Sequence, residues 1–356
     1  MKYLAFYIFI ALLFGCTQTP DDDSITTVST TDSSYYLVLN EGLFQANNSS
    51  LTYYDPLNET KVIQDYFLLQ NKRLLGDTGN DLLRYGSKIY IAMDVSGTVE
   101  VISINGKSIT QIPFKNGSAS KSPRKLLANN GEVLVVNFDG TISRIDTTDF
   151  AMLPEIKVGK NPDGIAMNEE YIVVTNSGGL DAPNYDSTIT VIDKFTSDVV
   201  GTYHVGLNPA VVVTDDEGEF YISYRGDYNT KKGGVCVFST DSMKVKKQLA
   251  IEANDIAISQ QQAYISSYNF NSAQSQLIVF DTKTDTIIKN NILPKNTVET
   301  IYGIQTFEND PFLYCYDANG FTTEGEVIVI DKNGVFQTRF DTGINPGSMI
   351  KVNKNK

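Results

Sequence analysis

The chain has 356 residues, 41% of them hydrophobic and 20% charged, enough to bury a sizeable core. A net charge of −13 makes free nucleic acid and anionic membrane surfaces poor partners by bulk electrostatics. With one histidine and three cysteines, a histidine-rich metal centre or a histidine-pair acid/base mechanism is all but excluded.

Met1-Lys2 is a basic start followed by an apolar run, Tyr3 to Phe14, too short to span a bilayer as a stable helix. That is the pattern of a secretory signal. The segment Leu12-Leu13-Phe14-Gly15-Cys16 resembles a bacterial lipobox, with Phe14 departing from the usual small residue. The resemblance implies a signal peptide over residues 1–15, cleavage before Cys16, and lipidation of Cys16. Behind it, Asp21-Asp22-Asp23 resembles the acidic signal that exports Bacteroidota-type lipoproteins to the outer face of the outer membrane. A solvated acidic linker is the other reading. Residues 16–34, rich in Ser, Thr and Asp, have little to bury and predict a flexible tether.

From Tyr35 onward, short β-branched and aromatic runs alternate with Gly, Asn and Asp turns. The first runs are Tyr35–Asn40 and Leu51–Tyr54, with Ile63–Leu68 as a candidate third. Units of four runs then begin near Asn80, at Ser122-Pro123, Asn161-Pro162, Asn208-Pro209 and Asn254-Asp255, and near Tyr302. The starts lie roughly 39–50 residues apart, the spacing of four-stranded propeller blades. The clearest unit carries Gly164–Met167, Tyr171–Thr175, Thr188–Ile192 and Val199–Val205. His204, the single histidine, falls on its outer run and reads as an ordinary strand residue. Cys236 and Cys315 read as small apolar strand residues, and whether they pair is left open.

A last Asn345-Pro346 opens Gly347–Val352, which matches the first strand of a unit, whereas Tyr35–Asn40 matches a second strand. The expected architecture is therefore all-β: one domain over residues 35–356, a seven-bladed β-propeller whose N- and C-terminal strands share one blade. Such closure removes open sheet edges. A β-sandwich or solenoid would explain neither the recurring Asn-Pro start nor the complementary half-units.

In such a ring, the loops between second and third strands gather on one face, over the axial channel. Five are long: Glu41–Ser50, Asn176–Ser187, Arg225–Gly233, Asn269–Ser275 and Asp317–Gly325. They mix amides with aromatics, and the candidate ligand contacts are Phe44, Asn47, Tyr185, Tyr224, Tyr228, Tyr268, Phe270, Tyr316 and Phe321. Rings would cover the faces of a large flat ligand while amides satisfy its polar edge. The other reading is that Asn, Asp and Gly form turns and the aromatics pack loop bases. By repeat alignment, Asn40, Asp94, Asn137, Asn176, Arg225, Asn269 and Asp317 would form a polar ring at the channel mouth. No EF-type loop is present, and no metal or cofactor is expected. Hydrolase and dinucleotide motifs are missing, so an enzyme is not expected. Asp181, Asp186 and Asp227 are the loop carboxylates an enzymatic reading would use.

The residues NPDGIAM, STITVIDKFTSDVV and VGLNP resemble the YncE-like family of seven-bladed propellers. Together with LLFGC and the acidic run, the chain resembles surface-exposed YncE-like lipoproteins of gut Bacteroidota. One group of these binds corrinoids, vitamin B12 and its relatives, and caps an outer-membrane TonB-dependent transporter. The resemblance implies a corrinoid ligand, a TonB-dependent transporter as partner, a lipid anchor at the outer membrane facing the exterior, and no nucleic acid. A surface platform for glycans or proteins, and a propeller hydrolase or lyase, are the alternatives.

Overall fold

A computed structural model describes residues 34–58 and 62–354. The expected signal peptide, Cys16 and all of the expected tether except Ser34 lie outside these residues. Seven four-stranded antiparallel sheets stand around a central axis as a β-propeller. Blade 1 holds Gly79–Tyr85, Lys88–Met93, Thr98–Ser103 and Ser108–Pro113. Blade 2 holds Pro123–Asn129, Glu132–Asn137, Thr141–Asp146 and Met152–Lys157. Blade 3 holds Pro162–Met167, Tyr171–Asn176, Thr188–Asp193 and Val199–His204. Blade 4 holds Pro209–Thr214, Phe220–Tyr224, Gly234–Ser239 and Lys244–Leu249. Blade 5 holds Asp255–Ser259, Gln262–Asn269, Gln274–Asp281 and Thr286–Lys289. Blade 6 holds Ile301–Gln305, Phe312–Asp317, Glu324–Asp331 and Phe336–Ile344.

Blade 7 is the shared one. Its innermost strand is Pro346–Asn353, from the C-terminal end, and Ser34–Asn40, Ser50–Tyr54 and Val62–Ile63 follow outward. The closing register runs from Ser34↔Asn353 to Asn40↔Pro346. Side chains reinforce it on the face away from the long loops. Lys351 pairs with the buried Asp310 of blade 6 at 3.2 Å, and the Tyr36 and Tyr314 hydroxyls lie 2.8 Å apart beside the same carboxylate.

The sequence pattern follows from depth in the blade. Middle strands pack against neighbouring blades on both faces, so they are continuous apolar runs; in Glu132–Asn137 every residue after the first is buried. Outer strands alternate, as in Lys244–Leu249, where every second residue is exposed. Seven apolar clusters result, each joining one pair of adjacent blades. The core is thus a ring of interfaces around the axis.

The Asn-Pro corner organises the loop face. Asn161, Asn208 and Asn345 take φ of 41°, 60° and 55°, the left-handed region that asparagine tolerates better than most residues. Their carbonyls accept the first N–H of the long loop in the same blade: Ser177, Arg225 and Glu41, at 3.2, 2.9 and 2.8 Å. A glycine precedes each corner by two residues. A Cβ on Gly159 would lie 2.3 Å from Cγ of Asn176, and one on Gly206 would lie 2.3 Å from Cγ of Tyr224. The Gly-x-Asn-Pro unit therefore lets one blade's end lie flat against the next blade's second strand.

Two local expectations need correction. The run Ile63–Leu68 is not a strand: Val62–Ile63 is a two-residue strand and Tyr66–Asn71 a short α-helix. No β-branched residue occurs between Gln64 and Asn71, and burying Tyr66 and Phe67 over the interface of blades 7 and 1 decides the conformation. A small hairpin, Lys115–Asn116 with Ala119–Ser120, links blades 1 and 2 and was not expected. Cys236 and Cys315 are free and buried, and burial pushes both thiols up to about 12.

Candidate functional site

The innermost strands enclose an axial channel of about 650 Å³ that opens under the long loops. Its mouth is charged. Asp163, the second residue of blade 3, receives Arg124 of blade 2, with Nε at 3.2 Å from Oδ1 and Nη2 at 3.1 Å. Arg225 of the blade 4 loop donates from Nη1 to the other oxygen at 2.9 Å. Burial alone would raise the Asp163 carboxyl, but the two guanidiniums, Arg124 first, hold it well below the usual carboxylate range. Arg124 also reaches Asp94 at 3.3 Å, and its guanidinium lies over the Phe138 ring, 4.4 Å from the centroid.

Across the mouth, Tyr302 donates its hydroxyl to Glu41. Burial raises the Glu41 carboxyl, while the Tyr302 hydrogen bond and Arg124 pull it down less strongly. One residue deeper, Asp81 and Asp255 act as staples between innermost strands. Asp81 accepts the Leu126 N–H at 2.9 Å, and Asp255 accepts the Ile304 N–H at 2.9 Å. Each side chain thus replaces a backbone bond that separate sheets cannot make. Lys125 extends into the channel with, among the described residues, a single long contact to Asp81, 3.4 Å.

Aromatics stand above the mouth in two groups. In the first, Phe270 stacks on Phe321 at 5.9 Å, and Tyr268 meets both edge-on at 5.0 and 6.1 Å. Tyr302 joins Phe321 at 5.8 Å and links this group to the charged mouth. In the second, Tyr185 and Tyr228 meet edge-on at 6.1 Å. Phe44, Tyr228 and Phe270 are 70–72% exposed. Tyr228 and Phe321 have φ of 59° and 71°, conformations that bulky residues adopt only where the surroundings impose them.

The expected site residues therefore divide. Tyr185, Tyr228, Tyr268, Phe270 and Phe321 are brought together in pairs and clusters, and Arg225 lines the channel. Phe44 and Asn47 lie exposed on the blade 7 loop, where the Asn47 backbone is held by Asp77 at 3.0 Å. Others belong to the scaffold. Asn137 and Asn176 are fully buried: the first donates to Thr141 and Ser143, the second to Thr188 and Thr190. Asn40 is bound to Ser50 and Thr52 in the same way. Asp317 accepts the Glu299 and Thr300 N–H groups at 2.6 and 2.8 Å, and Asn269 caps its own loop. Tyr224 packs beneath Gly206 and Gly234, and Tyr316 is buried along the channel wall.

The polar ring expected from the repeat is thus formed in part: Arg225 and Asp94 reach the mouth, while in other blades the residue facing the axis is the next one along. Side chains alternate between faces, so Asn40 and Asn137 point into their blades, whereas Glu41 lines the channel and Phe138 meets Arg124. Arg124, Asp163, Tyr302, Lys125, Asp81 and Asp255 were missed. All but Asp255, which opens its strand, occupy the second or third place of an innermost strand, and the charged residue after the corner proline, as in Pro123-Arg124 and Pro162-Asp163, was the available signal. The loop carboxylates are engaged: Asp181 pairs with Lys160, Asp186 accepts from Thr188, and Asp227 holds the Asn229 and Lys231 N–H groups. His204 lies exposed on the outer strand of blade 3, with Nδ1 2.9 Å from the Ser187 hydroxyl.

A family described as a domain of unknown function, DUF5074, matches residues 34–227. No curated protein matches by sequence. Among solved structures, a Bacteroides fragilis protein described as a candidate 6-phosphogluconolactonase is similar over 91% of this chain and 99% of its own, with TM-score 0.67 and 13% identity. Kuenenia stuttgartiensis hydrazine synthase is similar over 76% of this chain and 88% of its own, with TM-score 0.64 and 15% identity. At these identities the likeness is one of fold.

Proposed function

The chain belongs to the DUF5074 family, and from that premise and the geometry of the funnel we propose that it is a cell-surface lipoprotein that captures a corrinoid and passes it to an outer-membrane TonB-dependent transporter. The observation that carries this reading is the pair of aromatic groups, Tyr268–Phe270–Phe321 and Tyr185–Tyr228, standing above a polar mouth. A corrin ring is broad, flat and fringed with amides, so rings beneath it and polar groups at its margin are complementary. The loops rise from a ring of rigid blades, which limits the ordering cost of binding.

Two further features support capture and transfer. Phe44 and Leu180, each 72% exposed, leave apolar area on the same face for a protein partner. The strand Ser34–Asn40 begins beside Asn353, on the face opposite the funnel, so a tether over residues 16–33 would reach the propeller from behind. The proposal involves no turnover.

The test uses residues 17–356 mixed with excess cyanocobalamin and passed over a desalting column. Retention of one pigment per chain is expected. Complete separation of pigment from protein would remove the corrinoid and leave a surface platform for glycans or proteins as the reading to pursue.

A further inference from the structure

The charges at the channel mouth are unevenly engaged. Both oxygens of Asp163 hold guanidinium groups. Asp81 accepts from Leu126 N–H and Ser348, and Asp255 from the N–H groups of Ile256 and Ile304. Asp94 holds Asn80 and Arg124, and Glu41 holds Tyr302. The cations differ. Of the five N–H donors of Arg225, one is used among the described residues, from Nη1 to Asp163. Lys125 has its one long contact.

A second, independent observation lies in the same channel, on blade 6. Tyr316 is 1% exposed, lines the channel, and its hydroxyl has no partner among the described residues. A buried hydroxyl without a partner is costly in a finished core. Its strand register places it opposite Gly303, and a Cβ at Gly303 would lie 3.0 Å from the Tyr316 ring. The absence of a side chain there leaves the ring beside the channel.

We propose that the channel mouth is an oxyanion subsite, in which Arg225 and Lys125, with the Tyr316 hydroxyl on the wall, take a phosphate group carried by the ligand that the aromatic rim covers. Arg225 presents a planar fork to two phosphate oxygens, Lys125 adds a point charge, and Tyr316 gains the acceptor it lacks. The inference rests on reading the funnel as the ligand site, though not on the ligand being a corrinoid. Applied to a corrinoid, it assigns the subsite to the phosphodiester that links the nucleotide to the corrin ring.

Two corrinoids separate these ideas. Cyanocobalamin carries the phosphodiester and dicyanocobinamide lacks it, while both keep the ring and its amides. The wild-type protein is expected to bind cyanocobalamin roughly tenfold more tightly or better, the worth of a charge-assisted contact. Arg225→Ala and Tyr316→Phe should erase that difference by weakening cyanocobalamin alone. Tyr316→Phe removes only an unpartnered hydroxyl, so its folding is secure. If neither corrinoid binds, the corrinoid reading fails and inorganic phosphate serves as probe. At matched ionic strength it should raise the melting temperature of the wild type and leave Tyr316→Phe unmoved. Equal affinity for both corrinoids, or a phosphate response identical in wild type and Tyr316→Phe, overturns the subsite.

Discussion

Arg225 Nη1 lies 2.9 Å from Asp163 Oδ2, and Arg124 holds the other oxygen of the same carboxylate. One side chain of blade 3 thereby ties the mouth of the channel to blades 2 and 4. Asp163→Asn should cost about 3 kcal/mol of stability, because it takes from Arg225 its carboxylate partner and from Arg124 the nearer of its two. The pH dependence has a defined direction. The Asp163 carboxyl sits below its unfolded value of about 4, so its contribution is complete above that pH and is lost as pH falls toward the folded value. Melting curves from pH 7 to pH 3 should show a smaller acid loss for Asp163→Asn than for the wild type.

Glu41 should behave in the opposite sense. Its buried carboxyl is raised, so its contribution is present below the unfolded value, about pH 4, and is lost as pH rises through the folded one. Glu41→Gln keeps an acceptor for the Tyr302 hydroxyl and cannot ionise. The variant should therefore gain on the wild type as pH rises above about 4 and then hold a constant lead. Parallel melting curves across that range would contradict the assignment.

The fold was legible because propeller blades repeat their own grammar. Each corner, as at Asn161-Pro162 and Asn208-Pro209, marks where the chain crosses to a new blade, and the apolar middle strands follow from packing on both faces. The loop aromatics that gather above the mouth were legible from loop composition. Of the charged mouth, only Asp94 and Arg225 were. A position at the end of a second strand faces either into the blade or toward the axis, and a shift of one residue decides which. Repeat alignment placed Asn137 and Asn176 on the ring, while their amides bind hydroxyls of the third strand. The helix Tyr66–Asn71 escaped because six residues carry too little periodicity to separate it from a strand.

Those buried amides give a separable prediction. Asn176→Ala should cost about 2 kcal/mol, since it strips partners from the Gly159 N–H, 3.0 Å away, and from Thr188 and Thr190. Ligand affinity of the folded variant should stay unchanged. Gly159→Ala should destabilise the same joint from the other side, as its Cβ would meet the Asn176 side chain at 2.3–2.7 Å. Chemical denaturation and a ligand titration on each variant separate the two effects.

Ring closure depends on the contact of blade 7 with blade 6. Asp310, 5% exposed, accepts from Tyr314 at 3.2 Å and pairs with Lys351 at 3.2 Å. Asp310→Ala should lower stability by about 3 kcal/mol, with a larger loss on removing residues 346–356, which opens the inner edge of Ser34–Asn40. Limited proteolysis of the truncated chain should cut first near Ser34–Asn40, the strand left without its inner neighbour.

The rim should show the reverse profile, carrying binding and little stability. Tyr228→Ala and Phe270→Ala remove side chains 70–72% exposed, so melting temperatures should stay near that of the wild type. Affinity should fall about tenfold or more for each, as for aromatic anchors of a binding face.

Calorimetric titration of residues 17–356 with cyanocobalamin tests the central claim most directly. The account predicts saturable binding of one ligand per chain, weakened by Tyr228→Ala and by Phe270→Ala. No heat, together with an unchanged melting temperature at saturating cyanocobalamin, would contradict corrinoid capture while leaving the propeller and its charged mouth in place.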